Sequence, residues 1–219
     1  MKKIVVINAS PRTDRNTGKL VREVGKGAES EGAEVKVFDL YRLEKFTGCV
    51  SCFGCKLPEH LGQCICHDGL ATVLEEIRSA DGLVLGSPNY LGDVTAGFRA
   101  LYERLIFPYV TYKKEPVTYN NHSIPVLLIM TSNVAEEMYT QIGYEQLLLN
   151  YKKSLSGRIG PTKVMIYGDT LQVDDYSKYN WTIFDPEMKK ARHEKVFPEK
   201  KNEAFLLGAE MVKNPDSWN

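Results

Sequence analysis

Apolar residues fall along this chain in two alternating patterns, short unbroken runs and longer stretches where they recur every three or four positions. Five runs read as strands, at residues 4–8, 34–39, 82–86, 124–130 and 162–167. Most are rich in Val, Ile and Leu without strict alternation, which fits strands covered on both faces in a parallel sheet. The run at 34–39 does alternate and reads as an edge strand. Helical spacing lies between the runs. It appears at 17–30 (Leu20, Val21, Val24, Ala28), 70–79 (Leu70, Val73, Leu74, Ile77), 94–107 (Phe98, Leu101, Leu105, Ile106) and 135–151 (Met138, Ile142 and 147–149). A last helix is predicted over 199–212 on Ala204, Leu207 and Met211, with Gly208 a weak point on the same face. Strands and helices in alternation with short links predict a doubly wound α/β domain. Two stretches break the pattern, a cysteine-rich insertion at about 47–68 and an extension at about 168–198 rich in Asp, Tyr and Lys. Both are long for plain connections, and long ordered loops usually carry function. One domain spanning 1–219 accommodates them.

Charge narrows the function. The 219 residues hold 28 Lys and Arg against 28 Asp and Glu. This balance gives no electrostatic footprint for nucleic acid or an anionic membrane. The apolar run after Met1-Lys2-Lys3 ends at Asn8, short of the about 7–15 residues of a signal peptide, and no run approaches the roughly 20 of a membrane span. A cytoplasmic protein is expected. There, five cysteines gathered in one segment point to a metal, a cluster or a thiol role rather than to disulfides.

The first strand runs into Ala9-Ser10-Pro11-Arg12-Thr13-Asp14-Arg15-Asn16-Thr17-Gly18, which opens the first helix. The hydroxyls of Ser10 and Thr17, the Asn16 amide and the free N–H groups of a helix N-terminus suit a phosphate, with Arg12 or Arg15 supplying charge. A surface loop capped by Asn16 or Thr17 is the plainer alternative. Neither a Walker A loop nor a dinucleotide fingerprint is present. Gly18-Lys19 is followed by Leu20, and Gly25-Lys26-Gly27 lies inside a helix pattern. A mononucleotide phosphate fits better.

Ser10-Pro11-Arg12 with Asn16-Thr17, together with the segment Ala80-Asp81-Gly82-Leu83-Val84-Leu85-Gly86-Ser87-Pro88-Asn89-Tyr90-Leu91-Gly92, resembles the flavodoxin-like NAD(P)H-dependent FMN reductases over about the first 170 residues. The resemblance implies a five-stranded parallel sheet of order 2-1-3-4-5 with helices on both faces and FMN at the carboxyl ends of the strands. It implies phosphate contacts from Ser10, Arg12, Asn16 and Thr17, and ring contacts from Pro88, Asn89, Tyr90, Leu91 and Gly92. Tyr90 would pack on the ring, backbone N–H groups would lie near N5 and O4, and Gly92 would allow close approach. Thr131, Ser132 and Asn133 would form a third flavin loop, although glycines common there in relatives are missing and Asn133 serves equally as a helix N-cap. A homodimer or homotetramer with composite sites is also implied. The aromatic residues of the extension (Tyr176, Tyr179, Trp181, Phe184) would cover a neighbouring subunit or pocket, or else pack on their own domain.

Cys49-Val50-Ser51-Cys52-Phe53-Gly54-Cys55 has C-x2-C-x2-C spacing, followed by Cys64 and Cys66. Three thiolates so spaced can wrap one face of a [4Fe–4S] cube, with a more distant fourth, Cys64 or else Cys66, closing it. This resembles the iron–sulfur flavoprotein branch of the same family, although the gap before Cys64 is longer here. Free or redox thiols, or zinc completed by His60 and His67, are the alternatives.

The expectation is an FMN-dependent oxidoreductase. It would pass electrons from NAD(P)H or another donor to a small acceptor such as a quinone or flavin, to a redox protein, or to a cluster. No side chain need act as acid or base, since the cofactor carries the chemistry. A non-catalytic electron carrier is the second reading, although such carriers are usually acidic and this chain is neutral. A zinc-stabilised module with a vacant flavin fold is the third.

Overall fold

β1 (Lys3–Asn8), β3 (Gly82–Pro88) and β4 (Val126–Thr131) lie at the centre of the sheet, buried along almost their whole length. The computed structural model describes residues 1–218. β2 (Glu34–Asp39) and β5 (Thr162–Tyr167) form the edges, so that the strand order is β2-β1-β3-β4-β5. Every pairing is parallel. This is the order that the resemblance implied, and the alternating run at 34–39 is indeed an edge. The break in order falls between β1 and β3, where a crevice opens at the strand carboxyl ends.

Helices cover both faces. On one, α1 (Asn16–Ser30) and α5 (Pro186–Lys213) pack Leu20, Val24, Ala204 and Met211 onto Ile4, Val6, Val84 and Leu127. On the other, α2 (Ala71–Arg78), α3 (Ala96–Ile106) and α4 (Tyr144–Arg158) pack Leu74, Phe98, Leu101 and Leu155 onto Val5, Leu83, Leu85 and Leu128. The alternating side-chain directions of each central strand feed both cores, which is why their sequences do not alternate.

Two helices depart from expectation. The helix predicted over 135–151 is a single 3-10 turn at Glu136–Met138, and α4 begins only at Tyr144. Gly143, at φ 81, turns the chain in the left-handed region and separates the two pieces. The last helix starts at Pro186 rather than near 199, with Pro198 inside it. Asp185 caps it by accepting from the N–H groups of Glu187 and Met188 at 3.0 Å each. Neither Asn16 nor Asn133 caps a helix, since the α1 cap is Arg15 without a side-chain bond and no helix starts at 133.

Gly208 is not a weak point. A Cβ there would collide with the Val24 carbonyl, and one at Gly27 with the Phe205 carbonyl, so the pair sets how closely α1 and α5 approach. Gly157, in α4, has nothing within 4 Å of a built Cβ. Alanine exceeds glycine by about 1 kcal/mol in a helix interior. Gly157→Ala should therefore raise stability by up to that amount. Gly208→Ala should instead lower it by about 1–3 kcal/mol, because the clash is with backbone. Thermal melts at a shift of about 2–4 °C per kcal/mol distinguish the two. A rise in both variants would refute the close helix contact.

Candidate functional site

The loops after β1, β3 and β4 border one cleft at the carboxyl end of the sheet. Ser10, Arg12, Asn16, Thr17, Pro88, Asn89, Tyr90, Leu91, Thr131, Ser132 and Asn133 all line it. Sequence reading named these eleven and Gly92, which does not line the cleft. Gly92 closes a hairpin turn instead. Tyr90 and Asp93 exchange backbone hydrogen bonds of 2.7 and 3.1 Å across it. Leu91 and Gly92 take φ of 54° and 89° between them, and the Gly92 N–H donates to Asn89 Oδ1 at 3.1 Å. The N–H groups of Tyr90 and Gly92 are thus used within the turn. The turn leaves the Leu91 side chain wholly exposed at the rim.

Around the N-terminus of α1 the donors converge. The first helical N–H groups have no carbonyl within the helix to bond, and they carry its positive pole. Ser10 Oγ accepts from the Arg12 N–H at 3.2 Å, which shapes the loop. Thr17 Oγ1 and Thr131 Oγ1 share a buried hydrogen bond of 2.7 Å that ties the β1 loop to β4. Thr95 caps α3 by accepting from Phe98 N–H at 3.2 Å and donates to the Ala9 carbonyl at 2.8 Å, linking the first two loops. Among the described residues no Asp, Glu or His lines the cleft, whereas two arginines do. Arg12 and the helix N-terminus favour an anion there, while the charge of Arg15 is met by Asp174.

Arg15, Thr170 and Gln172 complete the lining. The last two were not foreseen. They lie just beyond β5, where the chain crosses the phosphate loop. Arg12 Nη1 donates to the Gln172 carbonyl at 2.5 Å and Asn16 Nδ2 to the Leu171 carbonyl at 3.0 Å. Arg15 forms a fork on Asp174 with two bonds of 2.6 Å. That hydrogen-bonded fork holds the Asp174 carboxyl below its usual range and raises the arginine in turn. Both groups are solvent-exposed, so the pair orients Arg15 more than it stabilises the fold.

The third loop is anchored from behind. Lys189 of α5 donates to Asn133 Oδ1 at 2.8 Å and pairs with Asp169. The Ser132 hydroxyl bonds Tyr139 Oη at 2.8 Å and the Val134 carbonyl at 2.7 Å. Side chains of Ser132 and Asn133 therefore serve the loop's own shape, and the cleft meets them at its wall.

Whether the cleft suits a flavin mononucleotide can be judged from its donors and acceptors. It combines an anion site at the helix N-terminus, an aromatic rim at Tyr90 and a buried acceptor, Gln172 Oε1, with no hydrogen-bond partner. An orphaned buried acceptor at a cleft wall awaits a donor, and a polyhydroxyl chain or ring imide would supply one. The residues fit the group.

The comparisons agree with this geometry. Residues 2–138 match the model of the NADPH-dependent FMN reductases. The chain belongs to this family. An iron–sulfur flavoprotein of Methanocaldococcus jannaschii is 35% identical over 102 residues, covering 47% of this chain and 51% of that protein. The chain thus spans about half the length of the iron–sulfur flavoproteins it matches. Among solved structures, an NAD(P)H:quinone oxidoreductase from Methanothermobacter marburgensis superposes with a TM-score of 0.67 at 14% identity, covering 95% of this chain and 96% of that one. An FMN-dependent NADH-azoreductase from Bacillus anthracis, in complex with FMN, gives 0.62 at 14% identity over 97% and 100%. At that identity the two structures establish the shared fold.

The cysteine segment forms a second cavity, away from the cleft lining. All five cysteines border it together with Arg104, Phe107 and Pro108 from the end of α3. Ser51 and Phe53 have φ of 55° and 58°, which winds the chain around Cys52. Burial pushes the Cys55 and Cys66 thiols above their usual range. Lys56 Nζ donates to the carbonyls of Phe107, Pro108 and Val110 at 2.5, 3.0 and 2.7 Å, fastening the segment to the C-terminal end of α3. His60 and His67 are exposed and do not border the cavity. Among the described residues no three His, Cys, Asp or Glu side chains group around a single ion. A cube with one thiolate per iron needs its sulfurs spread around a larger body, and cysteines facing one cavity from both ends of a long loop meet that demand.

Proposed function

We propose that this chain is an FMN-dependent oxidoreductase that takes electrons from NAD(P)H or another donor. It passes them to a small acceptor such as a quinone or flavin, or to a [4Fe–4S] cluster on Cys49, Cys52, Cys55 and Cys64. The observation that carries the reading is the cleft itself, with paired arginines and a helix N-terminus at one end, Tyr90 at the other, and no carboxylate between them. FMN, when bound, supplies the electron chemistry. The protein's part is to hold the phosphate with Ser10, Asn16, Thr17 and the first N–H groups of α1. Pro88, Asn89, Tyr90 and Leu91 border the ring, and Gln172 Oε1 receives a hydrogen bond. Family membership supports the cofactor, and the names of the matched iron–sulfur flavoproteins support the cluster. A homo-oligomeric assembly, expected from the family, belongs to the same proposal.

The test is a visible spectrum of protein purified without oxygen, recorded before and after NADPH or NADH. Flavin bands that bleach and return with a quinone are expected. Flavin bands that neither nucleotide changes would overturn NAD(P)H use in favour of a carrier fed by another protein.

A further inference from the structure

The interior of the cysteine cavity contains a buried cation that the flavin chemistry does not use. Arg104 sits on α3 one turn beyond Leu101, on the helix face that packs into the core, and its side chain is 1% exposed. Its Nη1 donates to both oxygens of Asp68 at 2.6 Å and to the Thr47 carbonyl at 3.2 Å. Its Nη2 donates to the Cys66 carbonyl at 2.7 Å. The planar fork is therefore fixed along one edge by both ends of the cysteine segment. The remaining donor, Nε, points at Cys64 Sγ at 3.3 Å.

The two candidate fourth ligands have different neighbours. Cys64 sulfur accepts the Arg104 Nε–H at 3.3 Å, whereas Cys66 sulfur lies 3.9 Å from Asp68 Oδ2, an oxygen to which it can only donate. We propose that Arg104 selects Cys64 rather than Cys66 as the fourth cluster ligand and, by a charge-assisted N–H···S bond, raises the reduction potential of the cluster. This rests on the reading that the segment holds a [4Fe–4S] cluster. Hydrogen bonds to cluster sulfurs stabilise the form carrying one more electron, so removing one makes that electron harder to add. Arg104 is a positioning residue here. It fixes a ligand and touches no substrate.

The full-length chain, anaerobically loaded with iron and sulfide, provides the test. Wild type without iron and acid-labile sulfide would sink the cluster reading itself, separately from the role of Arg104. With the cluster present, Cys66→Ser should keep its sulfide and Cys64→Ser should lose most of it. The reverse pattern would overturn the assignment. In a dithionite titration followed by electron paramagnetic resonance, Arg104→Gln should disfavour the reduced cluster about tenfold, equivalent to about 59 mV for one electron. Arg104→Lys, which keeps the charge but not the fork, should fall between. Asp68→Asn, which removes a nearby negative charge while its amide oxygen can still accept from Arg104, should shift the potential the opposite way. Loosening of the structure alone would move both variants in the same direction, and that result would refute the proposal. If Arg104→Gln fails to fold, the two cysteine variants and Asp68→Asn still decide.

Discussion

Ser10→Asp is expected to weaken FMN binding at least about hundredfold, near 2.7 kcal/mol, while riboflavin binding changes only a few-fold. Ser10 lies in the loop that leads into α1, and its hydroxyl accepts from the Arg12 N–H at 3.2 Å. An aspartate oxygen can accept the same short-range bond, as Asx turns do, and gives up only the 3.1 Å bond that the Ser10 hydroxyl donates to the Arg12 carbonyl. What changes is the charge at the site of the phosphate. Two like charges about 4 Å apart repel by about 4 kcal/mol at an effective dielectric of about 20, and Arg12 and Arg15 offset only part of this. Riboflavin has no phosphate and does not meet that repulsion. Titrations of the apoprotein with both flavins, followed by fluorescence quenching, give the comparison. Unchanged FMN affinity would remove the phosphate from this loop, and equal loss for both flavins would indicate a collapsed cleft.

The second large effect concerns stability. Asp68→Ala should cost about 3–5 kcal/mol, the usual penalty for stripping a buried charge of its partner. The reason is an asymmetry in exposure, since the Arg104 side chain is 1% exposed and that of Asp68 15%. Burial alone would raise the Asp68 carboxyl. The bond from Arg104 and the N–H groups of Leu70 and Thr47 outweigh it and hold the group below its usual range. Arg104→Met leaves an aspartate that can rehydrate and keep its backbone donors, so its loss should be smaller. Denaturant midpoints of the two variants rank them, and an equal or reversed order would contradict this account of the ion pair.

Much of the scaffold could be read from the chain because central parallel strands leave an unambiguous trace. Residues 4–7 and 126–130 face packed helices on both sides, and no polar side chain fits there. The edges of helices were harder to place. α4 was predicted too early because Met138 and Ile142 keep helical spacing across Gly143, whose left-handed φ no apolar pattern reveals. α5 was predicted too short because Pro198 and a dense run of charges hide a stripe made of Phe197, Ala204, Gly208 and Met211. Gly208 looked like a defect since a close approach to α1 depends on a partner helix far away in sequence.

The site divides in the same way. Ser10, Asn16, Thr17 and the 88–91 loop follow strands β1 and β3 directly, where an open sheet places its ligand loops. Thr170 and Gln172 follow β5 by the same logic, but their stretch carries no motif, and only the sheet order brings it over the phosphate loop. Arg104 did leave a signal. An arginine on the apolar stripe of Phe98, Leu101 and Leu105 requires a buried partner, and Asp68 lies just past the last cysteine. The spacing C-x2-C-x2-C located the cavity, while the choice between Cys64 and Cys66 depended on which of them faces the cation.

The central claim is that the cleft at the carboxyl ends of β1, β3 and β4 holds FMN. The most direct measurement is to denature the purified protein, identify the released flavin and count it per chain, with the apoprotein offered FMN in parallel. One FMN per chain, released or taken up, is the predicted result. Protein that releases no flavin and binds none when FMN is supplied would contradict the account.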